Sequence, residues 1–422
     1  MVGRLSAVSL LKHAHSFSSF YRKYKSPNFK SQLLAILCSL RVPLWQESEI
    51  APDSIRICKV SGSLTNAVFF VSCPSKPTLL LRIYGPSSGA LISRPRELHT
   101  LHILSSRYRI GPRVYGTFGN GRVEEYFDSV TLTASDLRDE SISRWIGARM
   151  AELHCVDIES IEETSPAMRG LGKAWEIGAK KNVKAWLAVA RAVLTLPAVT
   201  DTNRRDLDLN AFMGLWWRYM RWLKEFESTE GASKRVFAHN DTQYGNLLRL
   251  GNIKEGLPEH HQVSKFLQQE LASKFNDLFS KIIVVDFEYA SPNPAAFDIA
   301  NHFHEWTADY HSSTPHILDP TRYPTLRERR NFYVAYITQS VVSSLAPPQA
   351  LQEDILEREL EKLDCQVRAW SPASHAMWAL WGIVQAKDDI ERNEGEPEFD
   401  YIGYARCRMK GFRRETSALG VQ

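Results

Sequence analysis

The feature that most constrains this chain is a pair of short polar motifs, each introduced by an apolar run. The first is H-x-D-x-x-x-x-N, which supplies His239, Asp241 and Asn246 within the stretch VFAHNDTQYGNLLR (236–249). The second closes the run IIVVD (282–286) with the carboxylate of Asp286. A β-branched run of this kind predicts a buried strand that delivers an acid at its end. We therefore expect two separate segments to present polar side chains to one place.

Asp241, Asn246 and Asp286 are residue types that suit phosphoryl transfer from ATP. One carboxylate can accept the proton of a substrate hydroxyl, while an amide and a second carboxylate can hold Mg²⁺. Gly245 allows the tight turn that would bring Asn246 back toward the metal. Asp286 could instead be a simple strand-end cap, but the two motifs together favour the metal site.

Two further residues near these motifs are expected to support them. We predict that His239 orients the loop backbone through a hydrogen bond and does not transfer a proton. Asp298 lies at a helical spacing from Asn301 and His302, and we predict that it is buried against the same backbone as a structural residue. Glu305 and Tyr310, farther along this stretch, are candidates to line a pocket.

Residues 52–127 predict a small β-rich lobe that binds nucleotide. Runs at 55–60, 67–71 and 79–84 predict three strands, with the small-residue loop SGSLTN (61–66) after the first. Backbone N–H groups of such a loop can approach phosphate oxygens, although an ordinary hairpin turn has the same composition. Arg82 is the candidate phosphate-binding cation, with Glu97 as its partner from a helix that opens near Pro95. A surface ion pair is the alternative for these two residues.

A hairpin then leads from this lobe into a predominantly helical one. Its glycine-rich turn GNGR (119–122) separates runs at 114–118 and 123–127. The segment Glu125–Phe127 is the candidate hinge, where backbone groups could bind adenine. Helices are predicted over 142–154, 175–194 and 209–226, with a core cluster of tryptophans at 216, 217 and 222. Ser371 and Pro372 predict the start of another helix that runs through Lys387.

Composition excludes several classes of protein. A net charge of +4 is small for 422 residues and gives no argument for nucleic acid binding. No apolar run reaches the roughly 18 residues of a membrane span. The six cysteines form no C-x-x-C pair, so the sequence favours a reducing compartment, here the cytoplasm, over a disulfide framework or a zinc site.

The predicted domain organisation is an N-terminal basic extension (1–51), a nucleotide-binding lobe (52–127) and a catalytic lobe (128–422). Residues 1–46 contain no acidic residue and resemble a transit peptide, but a solvated or partner-contacting extension is the favoured interpretation. A short helix is expected to begin near 33–37. Residues 251–281 are interpreted as a polar surface insert with a helical middle at 266–279 and no chemistry.

At this point the sequence resembles the choline/ethanolamine kinase family, particularly its fungal choline kinases. Three segments carry the resemblance: HNDTQYGNLL (239–248), VVDFEYASPNPAAFDIANHFHEW (284–306) and SHAMWALWGIVQAK (374–387). The resemblance extends more loosely over about residues 52–412. It implies an α+β, two-lobed, protein-kinase-like fold, ATP and Mg²⁺ as cosubstrates, and an amino alcohol as the acceptor. It also allows a homodimer, the common state of relatives.

Carried over by position, the resemblance gives each candidate residue a role. Asp241 looks like the base, Asn246 and Asp286 like the Mg²⁺ ligands, and Glu288 like a support for the metal through water. Gln243 looks like a neighbour of the substrate. The residues that match the ammonium pocket are Tyr289, Glu305, Tyr310, Trp378, Trp381 and Tyr404. The nucleotide is expected at Ser61, Gly62, Ser63, Asn66, Arg82, Glu97, Glu125 and Phe127.

Two departures from the family pattern affect the nucleotide site. Ser63 stands where many relatives have a second glycine, and FDSVTL (127–132) lacks the basic residues that often follow the hinge. Loop flexibility and extra nucleotide contacts are therefore left open.

The leading functional hypothesis is a choline kinase that makes phosphocholine. The alternatives are an ethanolamine kinase and an enzyme with both activities. A protein kinase is disfavoured because no A-P-E follows Asp286 and the D-F-G position reads D-F-E. A non-catalytic binding protein is disfavoured because Asp241, Asn246 and Asp286 are all present.

Overall fold

The computed structural model describes residues 24–46, 50–60, 66–84, 93–162, 176–250, 282–343, 352–392 and 399–421. The chain divides into two compact units, Met1–Ser129 and Val130–Gln422. Within the described ranges, no helix combines the length and the apolar character that crossing a membrane requires. The predicted insert at 251–281 and residues 1–23 lie outside the described residues.

A five-stranded antiparallel sheet forms the centre of the first unit. Its strands, in the order β1-β2-β3-β5-β4, are β1 (Arg56–Lys59), β2 (Asn66–Ser72), β3 (Leu79–Tyr84), β4 (Val114–Phe118) and β5 (Gly121–Glu125). The predicted hairpin is confirmed, because Phe118 is the Cα partner of Gly121 across the turn. Gly121 has no room for a side chain, since an added Cβ would lie 2.4 Å from the Arg82 carbonyl oxygen.

A helix ahead of the sheet belongs to the same core. Helix α1 (Pro27–Ser39) begins at Ser26, whose hydroxyl accepts a hydrogen bond from the Phe29 N–H. Its apolar face, with Leu33 fully buried, packs into one cluster with the sheet residues Phe69 and Leu81. The sequence placed these residues in an extension ahead of a boundary at 52. That boundary is too late, because the helix completes the core of this unit.

The helix predicted near Pro95 is confirmed as α2 (Arg94–Ile103). Proline suits the first turn of a helix because the N–H that it lacks would have no partner there. Glu97 lies in this first turn and its side chain is buried.

The second unit is mainly helical. Its helices are α3 (Glu140–His154), α4 (Ile158–Glu162), α5 (Gly178–Leu194), α6 (Asp201–Asp206), α7 (Leu209–Glu230), α8 (Ala295–Glu305), α9 (Leu326–Ser343), α10 (Glu353–Gln385), α11 (Lys387–Arg392) and α12 (Tyr401–Ala418). The helices predicted over 142–154, 175–194 and 209–226 correspond to α3, α5 and α7. The α+β class, with a small sheet-rich part and a mainly helical part, is confirmed.

Two short antiparallel ladders position the two polar motifs. In one, β7 (Arg235–Ala238) pairs with β10 (Ser291–Pro294), so that Ala238 lies opposite Ser291. In the other, β8 (Leu247–Leu250) pairs with β9 (Ile282–Val284), so that Leu247 lies opposite Val284. Residues 239–246 connect β7 to β8, and residues 285–290 connect β9 to β10. The two ladders therefore hold both connections close together at each end. A third strand, β6 (Ser129–Thr131), extends the second ladder in the order β6-β8-β9.

Two predictions about this unit were wrong. Ser371 and Pro372 do not start a helix but lie inside the 33-residue helix α10. A proline there removes one helical hydrogen bond, but nearly all of α10 from Gln366 to Val384 is buried, and the packing outweighs that loss. The second error is Trp217, which is 63% exposed while its neighbour Trp216 is buried. The two residues face different sides of α7 because successive helical positions are about 100° apart.

Candidate active site

The loop after β7 holds Asp241 and Asn246 in direct contact. The side-chain amide of Asn246 donates to Asp241 twice, to its carboxylate Oδ2 and to its carbonyl oxygen, both at 2.9 Å. Asn246 uses Nδ2 for both bonds, and its Oδ1 takes no part in them. A residue of this type can thus fix a carboxylate and still offer an oxygen to a metal.

Gln243 and Gly245 shape the turn between these two residues. The side-chain oxygen of Gln243 accepts a hydrogen bond from the Gly245 N–H at 2.8 Å. A Cβ on Gly245 would lie 2.9 Å from that oxygen, so a larger residue there would displace the Gln243 side chain. Gln243 is partly exposed, and its side chain contacts the loop backbone. Its predicted place beside the substrate stays a prediction.

His239 holds the two loops together. Its Nδ1 accepts from the Asp241 N–H at 3.3 Å, and its Nε2 lies 3.0 Å from the Val285 carbonyl oxygen. This pairing requires the neutral ring with its proton on Nε2. Burial lowers the pKa of His239 and favours that neutral form. The predicted orienting role is confirmed.

Asp298, on helix α8, anchors the start of the loop at 239–246, which we call the catalytic loop. Its carboxylate accepts from the His239 N–H at 2.9 Å, the Asn240 N–H at 2.7 Å and His154 Nε2 at 2.9 Å. Burial alone would raise the pKa of Asp298, but the hydrogen bond from His154 and the charge of His154 hold that pKa below its usual value. The predicted structural role of Asp298 is confirmed.

Asn240 is the residue whose conformation the loop depends on most, and the sequence analysis did not identify it. It has φ +67°, a left-handed backbone that asparagine tolerates better than most residues. Its side-chain nitrogen donates to the Tyr289 carbonyl oxygen at 2.9 Å, and its Oδ1 accepts from Asn293 at 2.6 Å. Asn301 donates to its carbonyl oxygen at 2.9 Å. Asn301 lies 61 positions from Asn240, so no local pattern in the sequence marks this cluster.

Asp286 follows strand β9, as the sequence predicted, with Val285 between them. It also has a left-handed backbone, with φ +69°. Burial, and then the charges of Glu305, Asp286 and Glu288, raise the pKa of Asp241 well above its usual value. Four carboxylates from three segments therefore act on one another in this unit, an arrangement that favours bound cations.

Aromatic side chains of α10 and α12 form a cluster next to these carboxylates. Trp378 and Trp381 lie edge to face with ring centroids 5.1 Å apart, and Tyr289 meets Trp378 at 5.3 Å. The indole N–H of Trp381 donates to the Tyr289 hydroxyl at 2.8 Å. Tyr404 lies 5.8 Å from Trp381. The structure thus brings together four of the residues assigned to the ammonium pocket.

These aromatic side chains differ in solvent exposure. Trp378 is 4% exposed and its indole N–H donates to Asn301 Oδ1 at 2.7 Å, so it packs as a core residue. Trp381 is only partly buried. Phe399, which sequence reasoning missed, extends the cluster with its ring 5.7 Å from that of Tyr404.

The remaining two pocket candidates, Glu305 and Tyr310, form a hydrogen bond with each other. The Tyr310 hydroxyl donates to Glu305 Oε2 at 2.6 Å. The other oxygen of Glu305 accepts from Arg408 Nη2 at 2.7 Å, and Arg408 also donates to the Tyr404 hydroxyl at 2.9 Å. Arg408 is fully buried. Sequence reasoning missed this arginine, whose i, i+4 spacing from Tyr404 on α12 was the available signal.

In the first unit, Glu97 belongs to a buried charged network. Arg122 Nη1 and Arg94 Nη1 each donate to one of its oxygens at 2.6 Å, and Arg122 also pairs with Glu124. The sequence analysis proposed Arg82 as the partner of Glu97 and overlooked both arginines. Arg82 is buried on β3, directly across from Arg122 on β5.

The other nucleotide candidates are partly described. Ser61, Gly62 and Ser63 lie outside the described residues, and Asn66 is the first residue of β2. Glu125 ends β5, and its carboxylate accepts from the Arg113 N–H at 3.1 Å. Phe127 follows two residues later, and its carbonyl oxygen accepts from the Ser129 hydroxyl at 3.0 Å.

Comparison with known proteins agrees with this geometry. The sequence pattern of the choline/ethanolamine kinase family matches residues 57–413. A choline kinase from Schizosaccharomyces pombe is 34% identical over 94% of this chain and 90% of that protein. One from Saccharomyces cerevisiae is 29% identical over 94% of this chain and 77% of that protein. A crystal structure of choline kinase from Cryptosporidium parvum shares the fold, with a TM-score of 0.66, 24% identity, and coverage of 92% of this chain and 96% of that one. These matches confirm the resemblance inferred from the motifs: the chain belongs to the choline/ethanolamine kinase family.

Proposed function

We propose that the protein is a choline kinase, which transfers the γ-phosphoryl group of ATP to the hydroxyl of choline and releases phosphocholine and ADP. The observation that carries this proposal is the fixed carboxylate of Asp241 beside an aromatic cluster and three further carboxylates. The choline oxygen forms the new bond to phosphorus, the bond from phosphorus to the β-phosphate oxygen breaks, and the hydroxyl proton passes to Asp241.

Asn246 and Asp286 are the proposed Mg²⁺ ligands. Their donor set fits the ion, because Mg²⁺ prefers carboxylate and amide oxygens. Glu288 is proposed to support the metal through water. Bound Mg²⁺ would neutralise phosphate charge at this place. The contribution of the chain is to hold the Asn246 side chain on the Asp241 carboxylate.

The acceptor is proposed to bind at Tyr289, Glu305, Tyr310, Trp381 and Tyr404, with Trp378 supporting Trp381 from the core. Aromatic faces attract a quaternary ammonium, which has no N–H to donate. A primary ammonium also needs acceptor atoms, and Glu305 could offer them, because each of its oxygens accepts one bond, from Tyr310 or Arg408, and a carboxylate oxygen can accept two. Ethanolamine is therefore the second candidate acceptor, and activity on both is an outcome of the assay.

The nucleotide is proposed to use the first unit. Arg82 is the candidate for the phosphates, the loop at 61–66 for backbone contacts to them, and Glu125–Phe127 for adenine. Glu97 is proposed to hold the arginine network that borders Arg82. The expected setting is cytoplasmic synthesis of phosphatidylcholine by the CDP-choline route, with a homodimer as the proposed assembly.

One coupled ADP-release assay tests this function. It compares choline, ethanolamine and a protein acceptor for the wild type and for Asp241→Asn. We expect choline to be the best acceptor, and the variant to lose turnover by orders of magnitude while it still binds ATP, measured by equilibrium titration. An unchanged turnover would remove Asp241 from its proposed role, and a preference for the protein acceptor would refute the function.

A further inference from the structure

Helices α5 and α7 of the second unit both pack against α10. Near one end, Arg191 of α5 donates to Asn210 of α7 at 2.9 Å. Near the other, Lys180 of α5 is close enough to Lys224 and Glu227 of α7 for their charges to act on it. Two such links at opposite ends show that the helices run antiparallel.

The exposed surface of this pair is strongly basic. Helix α5 has four basic residues and no acidic one, and all four are exposed: Lys180, Lys181, Lys184 and Arg191. Helix α7 adds the exposed Arg218, Arg221 and Lys224. The acidic residues of α7 are confined to its last six positions, where Glu225 and Glu230 are exposed and Glu227 is partly buried. A chain with a net charge of only +4 thus concentrates seven cations on one pair of helices.

An exposed tryptophan lies among these cations. Trp217 is 63% exposed and is followed directly by Arg218. Met213 and Met220, about one turn away on either side, are half-buried, and Val189 of α5 is 41% exposed. We call the exposed residues of α5 and α7 the α5–α7 surface. Burial of its apolar ring would be favourable, so the exposed indole leaves apolar area available to a partner.

We propose that the α5–α7 surface docks on anionic phospholipid membranes. Clustered lysines and arginines are attracted to anionic headgroups without requiring fixed acceptor positions. Tryptophan favours the headgroup level, where its ring is apolar and its N–H remains wet. Met213, Trp217 and Met220 would reach the acyl boundary while Arg218 and Arg221 contact headgroups. The surface is the outer side of two helices, and this breadth suits a lipid plane better than a single acidic peptide.

Vesicle flotation with the full-length protein tests this proposal. One set of vesicles is pure phosphatidylcholine, and the other has three parts phosphatidylcholine to one part phosphatidylserine. We expect flotation with the anionic set only, and loss of flotation at high salt. Each charge near the membrane is worth about fivefold in binding, so Arg218→Gln with Arg221→Gln should weaken it about 25-fold. Trp217→Ala should weaken binding to anionic vesicles while its salt dependence persists.

The matched control removes two arginines from another exposed helix face. Arg327 and Arg330 on α9 are exposed and each pairs with an acid, Glu140 and Glu357 respectively. Arg327→Gln with Arg330→Gln should leave vesicle binding within about twofold, because those charges are already balanced. Choline kinase turnover on free choline should be the same in both double variants and confirms that they fold.

Two results would overturn the proposal. One is equal flotation of the wild type and the Arg218→Gln, Arg221→Gln variant. The other is tighter binding, at the same salt concentration, to single-stranded RNA or to polyglutamate than to the anionic vesicles. Loss of kinase activity in an otherwise vesicle-binding protein would concern the proposed function and not this surface.

Discussion

Replacing Asp298 gives the sharpest test of how the catalytic loop is held. Its carboxylate is fully buried and accepts from two backbone N–H groups and from His154. In Asp298→Ala the N–H groups of His239 and Asn240 would remain buried without acceptors. Each such group costs about 1–3 kcal/mol, and a lost bond to a charged group costs a similar amount. We expect the free energy of unfolding to fall by about 3–9 kcal/mol, much of the about 5–15 kcal/mol typical of folded proteins.

The free energy of unfolding of Asp298→Asn should lie between that of the alanine variant and that of the wild type. The amide keeps one acceptor oxygen, but its NH₂ group would face N–H groups that also donate. The control is Asp354→Asn on α10, where an exposed i, i+4 pair with Arg358 is worth about 0.3–0.5 kcal/mol. Urea unfolding followed by tryptophan fluorescence reports on the second unit, since only Trp45 precedes residue 130. A loss below about 1 kcal/mol in Asp298→Ala would refute the reasoning.

The pH dependence of the same site has a definite sign. The pKa of Asp298 is lower in the folded chain than in the unfolded one. Its stabilising effect is therefore complete above the unfolded pKa of about 4 and is lost as the pH falls through the lower, folded value. Wild-type stability should fall below about pH 4 more steeply than that of Asp298→Asn, which cannot titrate there. Parallel curves for the two proteins would contradict the assignment.

Three further predictions concern the acceptor site. Trp381→Leu should raise the KM for choline by about 2- to 30-fold, the range of one cation–π contact, and leave the KM for ATP unchanged; equal changes in both would indicate a packing role. Arg408→Met should destabilise the chain by about 3–5 kcal/mol because it leaves Glu305 buried and unpaired. The double variant with Glu305→Gln should recover most of that loss in urea unfolding, and no recovery would mean that the pair is not coupled. Choline binding should release a proton from Asp241, measured by calorimetry in buffers of different ionisation enthalpy and abolished in Asp241→Asn.

Local sequence signals predicted most of the elements around the site. Alternating and apolar runs located the strands of the first unit, and Pro95 marked the start of α2. The H-x-D-x-x-x-x-N spacing predicted a tight turn between Asp241 and Asn246, and in the structure the Asn246 side chain donates to Asp241. The predicted direction of Asn246 toward a metal stays a prediction. These inferences succeeded because each depends on neighbours within a few residues.

What the sequence missed depends on partners far along the chain. Arg408 acts on Glu305 across 103 positions, and Asn301 supports Asn240 across 61. Arg122 meets Glu97 only because β5 and α2 belong to the same unit. Pro372 shows the converse, since a local rule that ends helices was overridden by burial of the surrounding helix. No pattern within a single segment contains this information.

The charges of the site explain why a cationic acceptor and a metal suit the same place. Asp241 can accept a proton only when it is ionised, yet burial and three neighbouring carboxylates raise its pKa. Arg408, the buried partner of Glu305, donates to Glu305 and Tyr404. An ammonium head group and Mg²⁺ would each favour the ionised form of Asp241 through opposite charge. In the proposed reaction, the two cations that must be present before transfer are thus the ones that make Asp241 a base.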